Sequence, residues 1–273
     1  VVFPVFFPLA LWSAFAVHSG IDRVVAKLLR LRASGLWLAA GLLGDGAQWR
    51  VAGGGAERGA GAQAANAADT DAAVVLLGTT SLPLLAGVLP MALWHVPHML
   101  AHVPVLLAAH AISCAALYAI RHRRRLAANG KTFLPAATEQ RPPLGVAMTR
   151  SVQAAVRHSL LLAGWLMLAG IASTVVSTTF GRPALVLPFS GLLDWTLGVH
   201  ALAQLVPVSS SASASHAATL VLASAIGWGG PVSAARVAYR SQLRPNWLRV
   251  ARLKLMQAAL TTALTCLLLI LFP

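Results

Sequence analysis

Acidic side chains are what this sequence most lacks. Seven Asp and Glu stand against twenty-one Lys and Arg in 273 residues, and charged residues make up only 10% of the chain. A soluble domain carries about 25%, so an ordinary water-facing surface is excluded. Cysteine is equally scarce: Cys114 and Cys266 both lie inside apolar runs, at a spacing that fits neither a disulfide framework nor a zinc site. What fills the chain instead is apolar, 58% by composition. Its long apolar runs approach the roughly 20 residues that cross a bilayer. The opening "VVFPVFF" carries neither Met nor a basic n-region, and it is expected to lie inside a longer protein with no signal peptide in view.

The net charge of +14 is not spread as in a nucleic-acid-binding surface. Lys and Arg cluster at 23–32, 121–157 and 236–254, each cluster abutting an apolar run. Cytoplasmic loops look like this under the positive-inside rule, and such loops also favour an anionic leaflet. The expected partner is therefore membrane lipid, with no nucleic acid.

Candidate crossings fall at 1–17, 72–94, 99–120, 158–180, 216–233 and 251–272. Two further apolar stretches do not read as simple spans. Residues 35–48, "GLWLAAGLLGDGAQ", are too short and too rich in glycine; residues 185–206 are interrupted by Pro188, Gly191, Asp194 and Gly198. With the three basic clusters placed inside, 35–48 begins and ends on the inner side, and 185–206 begins and ends outside. Only Arg182 of the twenty-one cationic residues then lies outside.

Each half thus reads as crossing, broken segment, crossing, crossing, with the second half inverted. The expected fold is an all-α polytopic membrane helix bundle of two inverted-topology repeats, 1–120 and 151–273, each with a re-entrant broken segment. Residues 121–150 form a basic cytoplasmic linker between them, 50–71 a Gly/Ala-rich inner linker, and 207–215, "PVSSSASAS", an outer loop. Interrupted hydrophobic segments at corresponding positions of inverted halves point to a transporter-type binding site. The two broken segments also share a short likeness, "GLLGDG" at 41–46 and "SGLLDW" at 190–195.

An ionisable group at membrane depth is a functional hypothesis by default. Asp194 meets that condition, followed by Thr196, His200 and Gln204, the last two sharing a helical face; Asp45 and Gln48 are the first-half counterparts. The alternative makes both aspartates caps or Asx-turns at a hairpin tip. "GTTSLP" places Thr79, Thr80 and Ser81 beside Pro83, whose ring frees carbonyls that hydroxyls or a solute can satisfy. Ser173 and Ser177 recur at helical spacing, where helix packing through small polar residues is the competing account. His95, His98 and His102 have spacings that suit a metal, but Pro97 and Pro104 interrupt them and no acid is nearby. No Ser-His-Asp set, phosphate loop or carboxylate pair assembles, so no catalytic residue, metal or cofactor is expected and the chain is not read as an enzyme.

Several stretches resemble the nucleoside-recognition or gate-domain family, specifically the YlbJ-type sporulation integral membrane proteins of endospore-forming bacteria. "VVFPVFFPLALWSAFAV" resembles their paired Phe-Pro opening helix, and "SVQAAVRHSLLLAGWLMLAGIASTVVS", 151–177, the start of their second half. "FSGLLDWTLGVHAL", 189–202, is similar to their Leu-Glu-Val-Thr-x-Gly segment, with Asp194 where Glu stands. "ASAIGWGGPVSAARV", 223–237, resembles their Gly-Gly segment. The family's Gly-Tyr-Pro-x-Gly motif is missing from the first hairpin, and Arg236 stands where a Gln is expected. The resemblance implies a gate-domain fold related to half-repeats of concentrative nucleoside transporters. It also implies a role in spore cortex formation, in the membrane around the developing spore. The function expected is transport or sensing of a small, nucleoside-like solute, with a coupling cation and Asp194 as their contact. The alternative is a non-transporting scaffold whose basic loops recruit cortex-assembly partners or anionic lipid.

Overall fold

The computed structural model describes residues 3–19, 82–126, 143–180, 186–205, 212–240 and 246–271. Asp45, Gln48, Thr79, Thr80 and Ser81, and with them the first broken segment, lie outside the described residues. Ten helices follow one another among those described. They are α1 Phe3–His18, α2 Leu82–Leu93, α3 Pro97–Leu100, α4 Val103–Leu126, α5 Leu144–Phe180, α6 Val186–Leu193, α7 Trp195–Leu205, α8 Ala212–Trp228, α9 Pro231–Arg240 and α10 Trp247–Leu271. No strand occurs among the described residues.

The all-helical, membrane-type reading holds. Four stretches are long and apolar enough to cross a bilayer: Pro97–Leu117, Leu144–Val176, Ser213–Ala235 and Trp247–Leu271. Their outward faces carry Leu160, Met167, Leu168 and Ile171 on α5 and Leu255, Met256, Leu267 and Ile270 on α10, all exposed. In water those surfaces would be costly; against lipid tails they are solvated by their own kind.

Several boundaries differ from the sequence reading, for local reasons. The turn at Trp94–Val96 separates α2 from the α3–α4 stretch, because Pro97 lacks an N–H and sits at the start of α3. α5 begins at Leu144 rather than 158 and runs 37 residues, about 55 Å at 1.5 Å per residue. The stretch read as an outer loop ends earlier than expected, since Ala212–Ser215 already form the first turn of α8.

Packing follows two patterns. The central core joins Leu85, Leu89 and Leu93 of α2, Leu106 of α4, Trp195, Val199 and Leu202 of α7, and Leu222 and Ile226 of α8. Elsewhere, small residues let backbones approach. On α5, Ala147, Ser151, Ala155 and Ser159 are buried at four-residue intervals, and α1, which lies along α5, buries Ala10 and Ala14 at the same interval. Lipid offers no hydrophobic drive between helices, so such close van der Waals contact supplies the cohesion.

α8 and α10 also approach closely. A Cβ built on Gly227 would stand 2.6 Å from the Cα of Ala258 and 2.9 Å from the carbonyl oxygen of Gln257. Both are backbone atoms, so the helices themselves would have to part. On α5, a Cβ on Gly164 would meet nothing within 4 Å. Gly227→Ala is therefore expected to cost about 1–3 kcal/mol, whereas Gly164→Ala should be neutral or stabilising by up to ~1 kcal/mol. Titration with a denaturing detergent, followed by circular dichroism, measures both.

Candidate functional site

The second broken segment folds as a helical hairpin. α6 and α7 are separated by Asp194 alone. A Cβ on Gly198 would stand 2.7 Å from the Cα of Gly191, although seven residues apart on a continuous helix means about 10 Å. The two arms thus turn back on each other, and the two glycines are where their backbones touch. At 8 and 11 residues each arm spans at most about 17 Å, short of the roughly 30 Å hydrocarbon core.

Asp194 makes the turn. Its backbone N–H still donates to Ser190 O at 2.9 Å, closing α6, and its carbonyl already accepts from Gly198 N at 3.1 Å, opening α7. The side chain caps the new helix: Oδ1 accepts from the Thr196 N–H at 2.9 Å and from Thr196 Oγ1 at 2.6 Å. This is N-cap chemistry, satisfying a donor that the start of a helix would otherwise leave open. Oδ2 accepts from Ser233 Oγ, 39 residues away, at 2.7 Å. The carboxylate is 1% exposed.

Ser233 is brought there by a second break. α8 stops at Trp228, and Gly229 and Gly230 take φ values of 72° and 83° before α9 begins at Pro231. Only glycine adopts that conformation freely. Position 230 is closed twice over, because a Cβ there would stand 2.3 Å from Leu193 O and 2.8 Å from the Cα of Asp194. Trp228 Nε1 donates to Leu192 O at 2.8 Å, pinning the break to the hairpin tip. The starts of α7 and α9 both meet Asp194, and each adds a positive helix end beside the carboxylate.

Of the residues singled out in the sequence, the structure brings together Asp194 and Thr196. Ser173 of α5 joins the periphery through Ser190, oxygen to oxygen at 2.6 Å. His200 lies on α7 with an exposed side chain. Gln204 and Ser177 are helical, but their side chains fall outside the described residues. The Asx-turn alternative describes what Asp194 does in this conformation: it is a buried cap holding two helix starts.

Sequence reasoning missed Ser190, Ser233 and Gly230. "GGPVS" carries a helix-start signal, Gly-Gly then Pro at the first helical position with Ser two residues on, but nothing local says which acid the hydroxyl will meet. His102 was considered with His95 and His98, yet its ring lies 5.1 Å from that of His216 on α8, and its Nδ1 is 2.8 Å from Thr219 Oγ1. Among the described residues, no group of three or more His, Cys, Asp or Glu could hold a metal ion. Lys254, counted in the sequence with the inner basic cluster, is instead buried inside α10 at 3% exposure.

Among the described residues, Asp194 is the carboxylate of this arrangement, and the groups around it are hydroxyls and a helix-start amide. A ligand that took the place of Ser233 at Oδ2 would break the hydrogen bond that ties α9 to the hairpin. Compared with protein-family models, curated proteins and solved structures, the chain matches none.

Removing the carboxylate leaves the hydroxyls of Thr196 and Ser233 and an α7 amide facing a buried gap. Asp194→Ala should therefore cost about 2–4 kcal/mol, and Ser233→Ala about 1 kcal/mol. Asp194→Asn, which keeps an acceptor at Oδ1, should fall between them. Detergent-denaturation midpoints of the purified chain give the order.

Proposed function

We propose that this chain is a multi-pass integral membrane protein that transports or senses a small solute, with the two interlocked helix breaks as its moving part. One observation carries the reading: two interruptions of apolar helices, at Asp194 and at Gly229–Gly230, meet at a buried carboxylate. A helix that merely crosses a bilayer gains nothing from a break, and each break exposes backbone groups that must be satisfied in a medium without water. Discontinuous helices whose ends face a polar centre are the means by which many transporters bind solutes and coupling ions.

In this reading, residues 1–120 and 151–273 form the inverted repeats of a gate-domain fold. The solute is nucleoside-like, its hydroxyls exchanging with those of Ser173, Ser190, Thr196 and Ser233 as the hairpin and α9 separate. A coupling cation would face Asp194. A role in spore cortex formation, in the membrane around the developing spore, rests on the sequence resemblance alone.

One observation favours the scaffold instead. Asp194 already accepts three hydrogen bonds and is 1% exposed, as a permanent cap would be. The basic loops would then do the work, recruiting cortex-assembly partners or anionic lipid.

Accessibility separates the two. Single cysteines replacing Ser190 or Ser233, in a chain carrying Cys114→Ser and Cys266→Ala, would be treated from each side of the membrane with an impermeant thiol reagent. Labelling that uridine or another nucleoside slows is the expected result. Complete inertness from both sides, with exposed loop cysteines reacting normally, would retire the solute reading in favour of the scaffold.

A further inference from the structure

α4, α8 and α10 pack on one another along a shared seam. Lys254 and Gln257 of α10 lie toward one end of it, close to Gly227 of α8. At the other end, near the starts of α8 and of the α3–α4 stretch, two histidines meet. The ring of His102 stands 5.1 Å from that of His216, centroid to centroid, and is tilted 46° against it. Both side chains are half-buried. In the topology read from the basic clusters, the turn before 99 and the loop before 216 both fall on the outer side, which puts the pair at the outer end of the bundle.

A third group fixes the state of His102. Its Nδ1 lies 2.8 Å from Thr219 Oγ1, and Thr219 donates its own hydroxyl proton to Ser215 O at 2.8 Å. A hydroxyl has one proton to give, so toward His102 it can only accept. Nδ1 therefore carries the N–H, and the lone pair of the neutral ring is on Nε2. Metal-binding histidines are prepared in this way: one nitrogen is anchored through its proton to a fixed oxygen, which sets the tautomer and leaves the other nitrogen to bind. Thr219 is 0% exposed, so packing holds the anchor in place.

The spacing suits one shared ion. With metal–nitrogen bonds of about 2.0–2.1 Å and each ring centre about 1.1 Å behind its nitrogen, two imidazoles on a tetrahedral ion have centroids about 5.2 Å apart. A structural tie between the helices needs only the His102–Thr219 bond and gains nothing from a second imidazole beside the first. The buried hydroxyl of Ser215, next in sequence to His216, has no hydrogen-bond partner among the described residues. A water on a bound metal would give it one. His95 and His98 are exposed outside the pair.

We propose that His102 and His216 form a two-nitrogen site for a divalent transition-metal ion of the zinc, nickel and copper class, with Thr219 as a positioning residue and water in the remaining coordination places. Imidazole nitrogen suits these ions, whereas Mg²⁺ and Ca²⁺ demand oxygen. Two protein ligands make a labile site, since permanent structural sites use four; among the described residues no group of three exists here. One ligand comes from each of two helices, so the ion would cross-link α4 to α8. It would thereby tie down the helix that ends at the Gly229–Gly230 break. The site goes beyond the solute reading and does not rest on it.

The test uses the full, untagged chain in detergent micelles, titrated calorimetrically with Zn²⁺ against empty micelles. Saturable binding of one Zn²⁺ by the pair is expected. Thr219→Val, which removes only the anchor, should weaken it by about 10–100-fold, and His102→Gln or His216→Gln by no less. His95→Gln, outside the pair, should change the affinity by less than about twofold. Cu²⁺ gives a second readout that a merely structural role would not move: its electron paramagnetic resonance spectrum should show two imidazole nitrogens in the parent and one in His216→Gln. Absence of saturable binding, an affinity unchanged in both His102→Gln and His216→Gln, or an equal loss in His95→Gln overturns the proposal. Intact Zn²⁺ binding in a chain whose Ser233→Cys site stays inert to label would retire the solute reading and leave this site standing.

Discussion

A single carboxylate shared by the starts of two helices is the constraint on which the rest of this structure depends. Asp194 closes α6, opens α7 and accepts from α9. Without an acceptor there, a backbone amide and two hydroxyls would sit unpaired in an apolar medium, each at a penalty far above its value in water. That is why the site tolerates no Cβ at position 230 and why the α6 and α7 backbones meet at Gly191 and Gly198. The acid is rare in this chain because the membrane makes it expensive, and it appears where two positive helix ends repay the cost.

The seam of α4, α8 and α10 solves a related problem with different chemistry. Where Asp194 is surrounded by donors, Lys254 has acceptors, an amide oxygen and a polarisable sulfur beyond it. The two buried charges are of opposite sign, yet each has its own partners.

Much of this architecture was legible in the sequence, for reasons that are local. Long apolar runs announce α4, α5, α8 and α10 because hydrocarbon demands both length and apolarity. The hairpin at Asp194 was visible because glycines and an acid interrupt an apolar run, and a break needs just those residues. The long-range chemistry was not. Ser233 is 39 residues from its carboxylate, and no periodicity predicts that pairing. Lys254 was hidden by the basic residues beside it: Arg249 and Arg252 face outward as a loop-side cluster should, and only the helical phase of α10 turns Lys254 inward. The start of α5 was missed because 144–157 mixes arginines with apolar residues and so resembles a linker, while its buried positions carry small residues that hydropathy barely registers.

The length of α5 has a mechanical consequence. A rod of about 55 Å in a slab of about 30 Å must either lean or project by many ångströms. Along one side it holds α1, and near its far end Ser173 touches Ser190 of the hairpin. Pivoting such a rod by about 10° about one end moves the other by roughly 10 Å. Arg150 and Arg157 stand exposed on the other half of that rod, so a push on them is carried by the same helix that meets the hairpin at Ser173.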